Sequence, residues 1–162
     1  MITNYLSPLE FRILVQRLPN VSFFTQRVSI PDISASGIDQ ATPLNRIYQQ
    51  PNSLTYSTLD LNFILDEEMN NYLEMFNWLK GITSPENYEQ FNRQKDSEFG
   101  LYSDITVTIL NSHKNPKIEF TYKNCFPISL SSVQMDTTQP DITYPEATTT
   151  FQYDYFDVNI LK

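Results

Sequence analysis

Glycine, cysteine and histidine are nearly missing from this chain. Its 162 residues hold three glycines (Gly37, Gly81 and Gly100), one cysteine, one histidine and one tryptophan. So few glycines leave no glycine-rich loop to cradle a phosphate, and neither a GxSxG elbow nor zinc-ligand spacing occurs. The lone Cys125 has no partner for an internal disulfide. Positive charge is scarce too: eleven Lys and Arg stand against nineteen Asp and Glu, a net charge of −8. That balance disfavours tight electrostatic binding to a phosphate backbone. No apolar run approaches the roughly 20 residues that span a bilayer. The opening MITNYLSPLE has neither a basic nor an apolar leader segment, so folding in a cytosol is expected.

What remains is aromatic and turn-rich. Apolar residues make up 40% of the chain and aromatics 14%, with eleven Phe and ten Tyr against the single Trp78. Flat rings suit pleated, half-buried surfaces, so the composition points to strands. With ten prolines and few glycines, turns rest on Pro, Asn and Asp. The length suits a single domain spanning 1–162.

Alternation marks about seven strands. Phe11, Ile13 and Val15 share one parity up to a turn at Leu18-Pro19-Asn20, and Phe24, Val28 and Ile30 follow, which predicts a hairpin. Leu59, Leu61, Phe63 and Leu65 alternate cleanly. Ile105, Val107 and Ile109, the turn NSHKNP, then Ile118, Phe120 and Tyr122 predict a second hairpin. Phe126, Ile128 and Leu130 follow on one parity. In the last strand Phe151, Tyr153 and Tyr155 give way to Phe156, Val158 and Ile160, and the change of parity predicts a β-bulge between Tyr155 and Phe156. Leu61, Phe63, Ile105, Val107, Phe126 and Ile128 are the expected core. Two long polar stretches, 32–53 and 82–103, exceed ordinary loop lengths and read as functional or partner-ordered segments.

One helix is predicted, over Asp66–Lys80. Met69, Tyr72, Leu73, Phe76 and Leu79 recur at three- and four-residue steps and form the face expected to pack on the sheet. Asp66 suits the N-cap, Glu67 and Glu68 the positive end of the dipole, and Gly81 the C′ position. On this reading Leu73→Asp buries an unpaired charge and costs several kcal/mol.

Catalytic chemistry finds no constellation. The carboxylates of Asp66, Glu67 and Glu68 are explained by capping, His113 by a solvated turn beside Lys114, and Cys125 by a small buried hydrophobe. Arg17, Arg27 and Arg46 lie among aromatics, but without a basic cluster they read as packing residues and not as a single-strand-binding surface. No enzyme, metal or cofactor is expected.

The order of these features resembles the tail tube proteins of T4-like contractile-tailed bacteriophages, a superfamily of tube and initiator proteins shared with secretion-system tubes. The pieces that carry the resemblance are FRILVQRLPNVSFFTQRVSIP, then LDLNFILDEEMNNYLEMFNWL, NCFPISLSSVQMD and TTTFQYDYFDVNI. The resemblance implies a mainly β sandwich or barrel of about seven strands, with one flanking helix and long assembly loops. It implies six copies in a ring, and rings stacked into a tube that conducts double-stranded DNA. Partners would be further copies, sheath, baseplate and tail terminator proteins, in a virion tail assembled in the host cytoplasm. A lumen bearing carboxylates would repel DNA and let it slide, although the pattern assigns no lumen-facing residue. Baseplate initiators or adaptors and tube terminators fit the same pattern. From a different class, a monomeric ligand-binding β-barrel is the competing reading, and persistent monomers would favour it.

Overall fold

The computed structural model describes residues 6, 9–41, 43–83, 88–95, 100–138 and 143–161. Most of the N-terminal MITNYLSPLE, and residues 84–87 and 96–99 of the second polar stretch, lie outside them.

Three elements open the chain: β1 (Phe11–Val15), α1 (Pro19–Phe24) and β2 (Thr25–Ser29). The hairpin expected here is not formed. Pro19 begins a helix instead of a turn, since its fixed φ suits the first helical position and that position needs no N–H donor. The Ser22 hydroxyl accepts from the Val15 N–H at 2.8 Å and donates to the Leu18 carbonyl at 3.1 Å, locking α1 onto the end of β1. The helix then sends β2 away to another strand.

An arm follows: β3 (Ile33–Ser34), β4 (Ile38–Ala41), β5 (Arg46–Gln49) and β6 (Thr55–Tyr56). β4 pairs with β5, and β3 with β6 at its root. The first long polar stretch is thus a two-stranded extension. Next come β7 (Leu59–Ile64), α2 (Asn70–Thr83), α3 (Tyr88–Lys95), β8 (Ser103–Leu110), β9 (Pro116–Leu130), β10 (Glu146–Gln152) and β11 (Tyr155–Ile160).

Seven strands form one antiparallel sheet in the order β1-β8-β9-β10-β7-β2, with β11 also paired to β9. The fold class is mainly β, as expected, with helices beside the sheet. β9 organises it. Its first part pairs with β8 and β11, its last part with β10, so one bent strand belongs to two half-sheets. Opposite Asp104 the register shifts: Ser103 faces Cys125 and Ile105 faces Tyr122, leaving Lys123 and Asn124 against one residue. Asn124 takes φ 55 there, a conformation Asn tolerates better than most residues. The extra residue moves the inward side from Tyr122 to Cys125 and Pro127, which swings the strand between half-sheets.

The core lies between those halves. Ile13, Val15, Ile105, Val107 and Tyr122 from one meet Leu59, Leu61, Phe63, Ala147 and Phe151 from the other in a single buried cluster. Leu61, Phe63, Ile105 and Val107 are buried there. Phe126 and Ile128 are not. A second register break, between Thr150 and Phe151, leaves Ile128 without an opposite residue and 44% exposed, while Phe126 turns away from Cys125 to meet Tyr102 edge-on at 5.8 Å. The parity change in the closing segment falls between Asp154 and Tyr155, where β11 begins, one residue before the expected site.

α2 closes the side of the core, and its buried face differs from the expected one. Asn71, Met75, Trp78 and Gly81 are buried, whereas Leu73 is 49% and Phe76 43% exposed. Met69 and Tyr72 pack partly on the core and Leu79 is half-buried. At 3.6 residues per turn the seated stripe is rotated by roughly two-fifths of a turn from the predicted one. Two anchors set that rotation. Asn71, fully buried, donates to the Ile64 carbonyl at 2.8 Å and accepts from the Tyr72 N–H at 2.9 Å. Trp78 donates its indole N–H to the Leu101 carbonyl at 3.2 Å and lies 5.8 Å from the Phe151 ring.

Nor is Asp66 the N-cap. Its carbonyl accepts from the Met69 N–H at 2.9 Å in a turn, Met69 takes φ 55, and the helix starts at Asn70. At the other end α2 runs through Gly81 to Thr83, so Gly81 is a buried helical position and not the C′ residue.

Candidate assembly surfaces

No enzyme-like centre is built among the described residues. No group of three or more His, Cys, Asp or Glu side chains converges as metal ligands do. His113 is exposed in the β8–β9 turn, which Asn111 shapes by accepting from the His113 and Asn115 N–H groups at 2.9 and 3.0 Å. Cys125 is fully buried, and that burial pushes its thiol up to about 12, far from the range of a nucleophilic thiolate. Burial likewise raises the Tyr153 hydroxyl to about 12, and Tyr122, whose hydroxyl is buried without a partner, rises further. These groups belong to a ring cluster with Tyr56, Phe120 and Phe156, in which Tyr122 and Tyr153 lie 5.0 Å apart. They pack together where β9 meets β11.

Polar contacts hold the same region from outside. Asp104 accepts from the Lys123 ammonium and from the Asn124 N–H, and the Asn124 side-chain amide donates to Asp154 at 2.6 Å. The hydrogen bond to Asp104 raises the Lys123 pKa. Arg17, of the three arginines noted in the sequence, packs inward: its guanidinium lies 5.1 Å over the Trp78 ring and donates to the Gly100 carbonyl, and burial lowers its pKa.

The features left unfilled are surfaces. Among the described residues β1, β2 and β11 each pair with one neighbour, which leaves the other edge of each without a described partner strand. Every residue of β4 and β5 is exposed, including Ile38, Ile47 and Tyr48, and Leu44 at the tip is 93% exposed. The arm's root is held by the Ser57 N–H to the Asp32 carbonyl at 3.0 Å and by the Tyr153 hydroxyl to the Ser57 carbonyl at 2.8 Å. On the body, Phe23 of α1 is 82% exposed and stacks edge-on with Phe24. Beside it a groove of about 570 Å³ runs along Phe24, Ile64, Leu65, Met69, Met135, Tyr144 and Pro145, and Asp66 and Glu67 also line it. A second cleft of about 420 Å³ opens between β1 and β2, over Phe11, Val28, Ile30 and Val107.

These surfaces were beyond the sequence pattern for an identifiable reason. The arm's strands alternate around Pro43-Leu44-Asn45 but bury neither face, so periodicity carries no signal. The α2 anchors follow a helical spacing of their own, Asn71, Met75, Trp78 and Ile82. Asn at its head hid that stripe.

The described residues thus form a bent antiparallel sandwich with helix α2 on its flank. Its fold is shared with a tube-terminating cap of the anti-feeding prophage (TM-score 0.72, 16% identity, covering 99% of this chain and 95% of that one). It is shared also with a chain of the extended sheath/tube terminator of an extracellular contractile injection system (TM-score 0.61, 19% identity, 98% and 99% covered). In sequence, the chain is 26% identical to the tail tube terminator protein of Enterobacteria phage T4, an alignment of 164 residues covering 97% of this chain and 90% of that protein. The phage tail tube protein family matches residues 9–159, and the chain belongs to it. It is a structural protein of a phage tail.

Proposed function

We propose that this chain is a tail tube terminator, a subunit whose ring closes one end of the tube in a contractile tail. The observation that carries the reading is the near-complete alignment to a tail tube terminator protein, which spans 97% of this chain. Six copies form the ring, as the family resemblance implies, and the tube leaves a path for double-stranded DNA. The open edges of β1, β2 and β11 offer strand pairing between copies. The exposed arm and the apolar surfaces beside α1 offer contacts along the tube axis and toward sheath, baseplate and completing proteins. The net charge of −8 suits a conduit that DNA passes without sticking.

A second reading is the repeating tube subunit, favoured by the family match itself, whose description names the tube protein. An initiator or adaptor of the same fold is a further variant. Location separates them. Antibody labelling of isolated tails is expected to mark one end, with about one ring of copies per particle. Label along the whole tube would replace the terminator reading with the tube-subunit one, and label at the baseplate end with the initiator. Monomers that neither form rings nor bind tube ends at any concentration would remove all three and favour a ligand-binding barrel.

A further inference from the structure

The arm and the groove are complementary, and within one chain they do not meet. The groove is lined by no residue of the arm among those described. Its lining is mostly apolar, with Phe24, Leu65, Met69 and the exposed Met135, and includes the carboxylates of Asp66 and Glu67. The arm's tip presents the opposite set. Leu44 and Tyr48 are exposed, and between them Arg46 has a side chain 74% exposed and, among the described residues, an ion pair with Asp39 at 3.4 Å. An ion pair that exposed holds its arginine weakly, leaving it available to a better-desolvated carboxylate.

We propose that this groove receives the arm tip of a second copy of the chain, with Leu44 and Tyr48 covering the apolar lining and Arg46 meeting the carboxylates of Asp66 and Glu67. The inference rests on the ring-forming reading above and supplies the receptor that the arm lacks. Two features point to a second copy over a foreign partner. Apolar tip meets apolar lining and cation meets carboxylates, all within one sequence. Donor and acceptor also lie on different surfaces of the same molecule, so the contact is heterologous and each copy gives one arm while accepting one, as a closed ring or stack requires.

The test mixes two full-length variants, one carrying Leu44→Cys and the other Met135→Cys, under mild oxidation. Native Cys125 is buried with its thiol raised to about 12, so it takes no part. A disulfide between unlike chains is expected in the mixture. Adding Glu67→Arg to the groove partner lowers its yield about 10-fold, and adding Arg46→Glu to the arm partner then recovers it. Cross-links only between like chains, or a yield indifferent to both charge changes, overturn the assignment. So does a mixture that stays uncross-linked at every concentration. Electron microscopy of the same wild-type protein keeps the two readings apart: rings at tube ends without the cross-link leave the terminator standing and remove the groove, whereas a cross-link without rings does the reverse.

Discussion

The sandwich body and the β4–β5 arm are both antiparallel strands, yet they are held by different forces. In the body, Leu59, Leu61, Phe63, Ile105 and Phe151 are fully buried, and each such side chain contributes about 1.5–3 kcal/mol by leaving water. In the arm every residue of both strands is exposed. Its stabilisation comes from the backbone ladder, a Gln49 to Gln40 side-chain hydrogen bond of 2.6 Å and the Asp39–Arg46 pair, contacts worth a few tenths of a kcal/mol apiece. An isolated two-stranded hairpin is marginal in water. The body is therefore held by burial, while the arm is held by contacts that leave its apolar side chains in water.

The largest effect that sharpens this contrast belongs to Trp78. It is almost wholly buried, hydrogen-bonded to Leu101, packed on Phe151 and covered by Arg17. Trp78→Ala removes the core's largest side chain and strands the Leu101 carbonyl, so a loss of about 3–5 kcal/mol is expected. Urea unfolding of the purified protein measures it. A loss under about 1 kcal/mol would show that α2 is a decoration on the sandwich and not part of its core.

An intermediate effect comes from alkali. Cys125 moves from its usual 9.0 to about 12 on folding, because burial disfavours the thiolate. A raised pKa means the folded state keeps its proton where the unfolded state loses it. The stability this group contributes is thus complete below pH 9 and lost as pH climbs toward 12. Near pH 10.5 the loss from this one thiol is about 2 kcal/mol. Tyr153, raised from 10.0 to about 12, adds to it in the upper part of that window. Urea midpoints taken from pH 8 to pH 10.5 should fall, and Cys125→Ala should flatten the slope between pH 9 and pH 10. An unchanged slope would place the alkaline sensitivity elsewhere.

How much was legible follows the same division. Leu59, Leu61 and Phe63, and Ile105, Val107 and Ile109, sit where strict alternation puts them, because a strand with one buried face writes its period into the sequence. β9 defeats that rule twice. Each extra residue, at Asn124 and at Ile128, shifts the phase, and a phase shift in a short window looks like a new strand. Helix α1 was hidden by Pro19, which serves a turn and a helix start equally well. α2 was visible as a helix, but its orientation depends on where Asn71 and Trp78 find carbonyls on other elements, and no local pattern carries that information. The arm and groove were the least legible, since strands that bury neither face leave no periodic trace in the sequence.

The smallest effects belong to positions where the sequence pattern expects large ones. Leu73→Asp should cost at most about 1 kcal/mol, because Leu73 is half-exposed on the outer side of α2 and the new carboxylate stays in water. Met75→Asp, only two residues along, should cost several kcal/mol, since Met75 is fully buried and the charge would have no partner. Tyr48→Ser in the arm should change stability by no more than about 0.5 kcal/mol. Measured together by urea unfolding, the three variants separate the faces that fold the protomer from those that do not. The decisive readout is then size. If Tyr48→Ser lowers self-association in sedimentation while leaving the unfolding midpoint in place, the arm acts between molecules. An equal loss of midpoint and association would make it part of the fold, and the contrast between arm and body would collapse.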